Sequence, residues 1–123
     1  MDKYNQILRE LITNTGAEGA VLVSPDGLAI SSTFSDTYDE DRAAAMAAAI
    51  LSLAERVSHE LNKGDLQEVY VKGKDGYVLF KGISDIAVLA VLTKSNVKLG
   101  LLLMESQRIV QKILKEATTE AVV

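Results

Sequence analysis

Residues 43–54, AAAMAAAILSLA, carry no charge between Arg42 and Glu55. An alanine-rich run of this kind has high helix propensity. Its apolar positions are not confined to one stripe, as those of an ordinary surface helix are. Twelve residues are too few to cross a bilayer, which takes about 20. The helix must therefore find cover on more than one side. Met46, Ile50, Leu53 and Val57 form one stripe, expected to lie against the rest of the fold. Ala44, Ala48, Leu51 and Glu55 follow on another face at spacings of four, three and four. Small residues there let a second helix come close, so this face is expected to meet another chain.

The flanking sequence divides into short periodic runs. Tyr4, Ile7, Leu8, Leu11 and Ile12 have helical spacing over residues 3–14, and Gly16 stops the helix. Residues 19–24 read as a buried strand. The turn Ser24-Pro25-Asp26-Gly27 returns the chain into a strand over 28–34. Thr37-x-x-Glu40 has the form of a capping box for the second helix, which runs to about Leu61. Three strands follow at 66–73, 76–83 and 86–93, with turns at Gly73–Gly76 and Gly82–Asp85. Ser95 or Asn96 is the expected cap of a last helix carrying Leu99, Leu102, Leu103, Ile109, Val110, Ile113 and Leu114.

The order is α-β-β-α-β-β-β-α, an α/β chain, and tight turns between adjacent strands require antiparallel pairing. The run Ile86–Leu92 is apolar on both faces and belongs at the sheet centre with cover on each side. Residues 66–72, LQEVYVK, alternate and carry charge, as edge strands do. The expectation is one five-stranded antiparallel sheet with helices on both faces, forming a single domain over 1–123. A two-fold dimer would cover the second helix and let strand 66–73 pair with its own copy, removing that exposed edge.

With 123 residues, 48% apolar and 5% aromatic, the chain can build a core, and that core must be aliphatic. The net charge of −4, with basic residues scattered among the acids, argues against a nucleic-acid partner and against an anionic membrane surface. Cysteine is absent, which excludes disulfides, thiolate zinc sites and a thiol nucleophile. That fits a cytoplasmic setting, as does an N-terminus (MDKYN) with no basic segment ahead of an apolar stretch.

A search for catalytic equipment finds little. His59 stands on the second helix without an evident nucleophile and reads as a solvated position. Asp39, Glu40 and Asp41 point in different directions on a helix and suit capping better than metal binding. There is no phosphate-binding G-x-x-x-x-G-K-[ST], no G-x-G-x-x-G and no G-x-S-x-G. No catalytic residue, metal site or cofactor is expected.

The strand and turn GAVLVSPDGL at 19–28 resemble the signature of roadblock-family domains. So do the alanine-rich second helix and the run DIAVLAVL at 85–92, followed by Asn96 and Leu99-Gly100-Leu101. The resemblance covers roughly residues 3–117. It implies the roadblock fold, akin to profilin and longin domains, with one helix on one sheet face and two on the other. It also implies dimerisation through the second helix and third strand. The family includes dynein light chains, scaffold subunits of Rag-type GTPase complexes and MglB-type regulators of MglA GTPases. It thus implies a Ras-like small GTPase partner of the MglA type.

The resulting dimer interface is Ala44, Ala48, Leu51 and Glu55 with Glu68, Val69, Tyr70, Val71 and Lys72. The GTPase-contacting surface carried over from the MglB type is Arg42 and Met46. Arg42 as an arginine finger is set against the plainer reading, a solvated residue opposing nearby acids. Two alternatives stand beside the GTPase regulator or scaffold: an adaptor of the dynein light-chain kind, and a small-ligand sensor with a pocket between sheet and helices. The residues leave open homodimer against heterodimer, and activator against scaffold.

Overall fold

The structure, a computed structural model, describes residues 3–34 and 39–122. In chain order the elements are α1 (Lys3–Thr15), β1 (Gly19–Val23), β2 (Ala29–Phe34), α2 (Glu40–Glu60), β3 (Val69–Gly73), β4 (Gly76–Ile83), β5 (Ala87–Lys94) and α3 (Leu99–Val122). The five strands form one antiparallel sheet in the order β2-β1-β5-β4-β3. The two-sided apolar strand β5 is at the centre and β3 at an edge, as their residue patterns require. One helix, α2, lies on one face of the sheet and two, α1 and α3, on the other.

Alternation along the strands feeds two cores. On one face, Leu22, Leu79, Leu89 and Val91 meet Leu8 and Leu11 of α1 and Leu102, Ile109 and Ile113 of α3. On the other, Val21, Val23, Phe80, Val88 and Ala90 meet Ala44, Ala47 and Leu51 of α2. The two-residue turn between β3 and β4 depends on Gly76, whose φ is +154°. A Cβ there would sit 1.9 Å from the carbonyl oxygen of Thr93, so no larger residue fits. The turn after β1 closes on Ser24, whose amide donates to Leu28 O at 2.8 Å and whose hydroxyl accepts the Leu28 amide at 3.1 Å.

Both expected helix caps are corrected. Thr37 lies outside the described residues, and Asp39 caps α2, its carboxylate accepting the Arg42 amide at 3.1 Å. Glu40 instead accepts from the Ser32 hydroxyl of β2. At α3 the Leu102 amide donates to the Lys98 carbonyl at 3.0 Å. The cap residue is the one whose carbonyl takes the first helical bond. That makes it Lys98 rather than Ser95 or Asn96.

Candidate functional site

The stripes of α2 are partly exchanged relative to the sequence expectation: Ile50 packs against the core as expected, but its stripe-mates do not. Ala44 and Ala47 are fully buried on the sheet and Leu51 is 6% exposed, whereas Met46, Leu53 and Val57 are 57%, 58% and 49% exposed. The reason is steric. Phe80 and Val88 supply bulk from the sheet side, and alanines let the helix axis settle close above them. The large side chains are left on the flank.

Ala44 and Leu51 thus lie inside the chain and cannot form a contact face. Ala48 and Glu55 lie on the flank away from β3, where they border a hollow of about 300 Å³ with Pro25, Ser84 and Asp85.

The flank toward β3 holds an apolar groove of about 550 Å³ between Met46, Ile50 and Leu53 of α2 and Val71, Val78 and Phe80 of the sheet. It continues into a second stretch of about 460 Å³. That stretch shares Ile50 and Leu53 and adds Val57, Leu61, Leu66 and Val69. Sequence reasoning expected a filled aliphatic core; on this face the filling stops short of β3. The surface therefore joins Val69 and Val71 to Met46, Leu53 and Val57, which had been placed in the core. What could have found these three is the length of the charge-free run, which offers more apolar surface than one sheet face can take.

The other residues singled out from the sequence have evident neighbours. Glu68 accepts at 3.1 Å from Lys81 of β4, a buried lysine that sequence reasoning did not single out, and this pair continues the β3–β4 register beyond the ladder. Tyr70 meets Tyr77 edge to face at 6.1 Å, and the Lys72 ammonium lies 6.0 Å from the same ring. Arg42 is exposed and faces Asp39 at 4.0 Å. His59 is exposed 3.4 Å from Asp65. Among the described residues no group of three His, Asp or Glu side chains could hold a metal ion, and no helix is long and apolar enough to cross a membrane.

Displaced carboxylate titration, often a mark of a working site, occurs on the far side of the sheet. Hydrogen bonds from Lys112 and then Arg108 hold Glu10 below the ordinary carboxylate range. Arg108 and Asn14 do the same for Glu105. The two carboxylates in turn raise the Arg108 guanidinium pKa. These groups join α1 to α3 and border none of the apolar groove. The surface on α2 and β3 is, by contrast, apolar.

Comparison with known proteins agrees with this geometry. The family model of the Roadblock/LC7 domain matches residues 3–93. An uncharacterised protein of Methanocaldococcus jannaschii is 33% identical over 109 residues, 89% of this chain and 95% of that protein. Among solved structures, Myxococcus xanthus MglB superposes with a TM-score of 0.89 at 18% identity, covering 97% of this chain and 98% of its own. A Roadblock/LC7 domain from Streptomyces avermitilis does so at 0.85 and 23% identity, covering 93% and 97%. At these identities the superpositions establish the fold.

Proposed function

Because the chain belongs to the Roadblock/LC7 family, we propose that it works in the cytoplasm, as one domain over 1–123, as a homodimeric regulator or scaffold that binds a Ras-like small GTPase of the MglA type and has no active site of its own. One observation carries this reading: the apolar groove along α2 runs without interruption to the bare β3 edge. Exposed apolar surface of this extent marks a contact site. A small-ligand pocket would need polar groups converging on a cavity, and those bordering the groove are few: Ser58 and Lys63, both in its second stretch. That favours a protein partner over a metabolite.

In the dimer, Met46, Leu53 and Val57 of both copies cover the grooves; Met46, which the resemblance put on the GTPase surface, lines the groove and is reassigned to the dimer, while the outer side of the paired α2 helices, where Arg42 is exposed, is left to the GTPase. Arg42 acts there as a surface charge. Arg42→Ala leaves any stimulation of GTP hydrolysis in place; its abolition would instead make Arg42 a finger.

The test is two-part. Solution mass is expected to be that of a dimer at micromolar concentration. Immobilised protein is expected to retain a small GTPase of the source organism in one nucleotide state, GDP or GTP, more than in the other. A strict monomer, or no GTPase of that organism retained more in one nucleotide state than in the other, overturns the proposal.

A further inference from the structure

Resting on the dimer reading above, we infer that Met46 is a modification site: a peroxide oxidises its thioether in the free chain, and the sulfoxide then prevents the groove from being covered. Three observations lead there.

The first is where sulfur stands. The chain has no cysteine, and its three methionines are Met1, Met46 and Met104. Met1 lies outside the described residues. With no thiol to react ahead of them, the thioethers are the groups that a peroxide attacks.

The second is the contrast between the other two. Met46 is 57% exposed and Met104 62%, so in the single chain a peroxide reaches both. Met46 lines the groove of about 550 Å³ beside Ile50, Leu53 and Val71. No other sulfur borders either stretch of the groove. Met104 belongs to α3, on the opposite face of the sheet, and borders neither. One oxidation alters the surface that must lose water in the dimer. The other alters a surface that stays wet.

The third is what the new oxygen would meet. A lone pair on Met46 Sδ attacks one oxygen of hydrogen peroxide, and the O–O bond breaks. The transferred oxygen gives its proton to the departing hydroxide, which leaves as water. Sulfur loses two electrons and the peroxide gains them. The sulfoxide oxygen is a strong acceptor, satisfied by water while the groove is open. The polar side chains of the groove, Ser58 and Lys63, border its second stretch alone, whereas Met46 lines the first. Covering the groove would therefore strand that oxygen without a donor, which is costly. The fold itself is spared, because Met46 is no part of the core under α2. Pairing and oxidation thus oppose each other: the covered groove shields the thioether, and the sulfoxide bars the covering.

The unmodified protein is treated with hydrogen peroxide well below and well above its dimer dissociation constant, and each methionine is followed by mass spectrometry of its peptide. Met104 is expected to oxidise equally fast at both concentrations, and Met46 at least about fivefold more slowly where the chain is paired. The oxidised chain should keep its helical circular dichroism and sediment as a dimer at least about tenfold weaker, and methionine sulfoxide reductase with a thiol should restore it. Met46→Leu, of similar volume, should remain dimeric through the same treatment. Met46→Gln, which puts an amide in the groove, should be a weak dimer without any peroxide. Met46 oxidation that ignores concentration, or an oxidised chain with unchanged dimer affinity, overturns the inference and leaves the dimer standing. So does a Met46→Leu dimer that peroxide dissociates as readily, or an oxidised chain that loses its helical signal. An unmodified protein that is monomeric overturns the dimer reading beneath it.

Discussion

On one face of the sheet, α1 and α3 lie over Leu22, Leu79, Leu89 and Val91 and bury all four. On the other, a single helix covers the strands around β1 and β5 and leaves Val71 and Val78 beside an open groove. The two edges differ in the same sense. β2 is tied down from both sides, by Asn5 of α1, whose amide donates to Ser32 O at 2.8 Å, and by Glu40 of α2. β3 has no such tie. The apolar groove lies at one corner, where the open face meets the free edge. A protein that merely had to fold would have little reason to keep that corner bare.

If one face is sealed and the other open, large-to-small changes should separate them. Leu89→Ala on the sealed face is expected to lower folding stability by about 2–5 kcal/mol, since the site cannot collapse around the lost volume. Urea denaturation measures it. The same truncation at Leu53, 58% exposed, should change monomer stability by less than about 0.5 kcal/mol. Equal losses at both would erase the distinction between the faces.

The floor of the open face is nonetheless close-packed, and Ala44→Leu tests that. With Ala44 fully buried under α2, added volume forces the helix off Phe80 and Val88. About 1–3 kcal/mol of destabilisation is expected. A residue facing only a partner chain would show no such effect on the monomer.

The groove itself is sharpened by Leu53→Asp. A carboxylate there remains hydrated in the monomer but would lose water on dimerisation. The variant should keep its helical circular dichroism and lose at least about tenfold in dimer affinity, roughly 1.4 kcal/mol. Sedimentation at graded concentrations reads it. An unchanged dimer would place the interface elsewhere.

Much of this organisation was legible in the residues. The two-faced β5 run, the alternating β3 and the Gly-bounded turns led to the element order and to which strand is central and which is an edge. The stripe that α2 turns to the sheet was not legible, because pattern reading sends the largest apolar residues inward. Here the sheet supplies the bulk and alanine supplies the close approach, and that depends on residues more than thirty positions away. Lys81 was hidden for a similar reason: a lysine in β4 reads as exposed until the register sets Glu68 opposite it. The caps were missed by two or three residues, close to the ordinary looseness of helix ends.

The smallest expected effect concerns what holds the sealed face together besides its core. Glu10 bridges Arg108 at 2.9 Å and Lys112 at 2.6 Å, and Glu105 bonds Arg108 and Asn14, so charges fasten α1 to α3 across about a hundred residues of chain. Both carboxylates titrate below the ordinary value of 4.5 in the folded chain. The unfolded chain therefore binds more protons than the folded one in that window. The stabilisation is fully present above about pH 4.5 and is lost as pH falls through the lowered folded-state values. The groups are solvent-accessible, so salt screens the effect and it should be modest. Wild-type melting temperature should fall more steeply below pH 4.5 than that of Glu10→Gln, which lacks one of the two titrating partners. Raising the salt should bring the two profiles together. Profiles that stay parallel down to the acid limit would mean the clamp adds nothing to folding, and that the sealed face owes its closure to Leu8, Leu11, Ile109 and Ile113 alone.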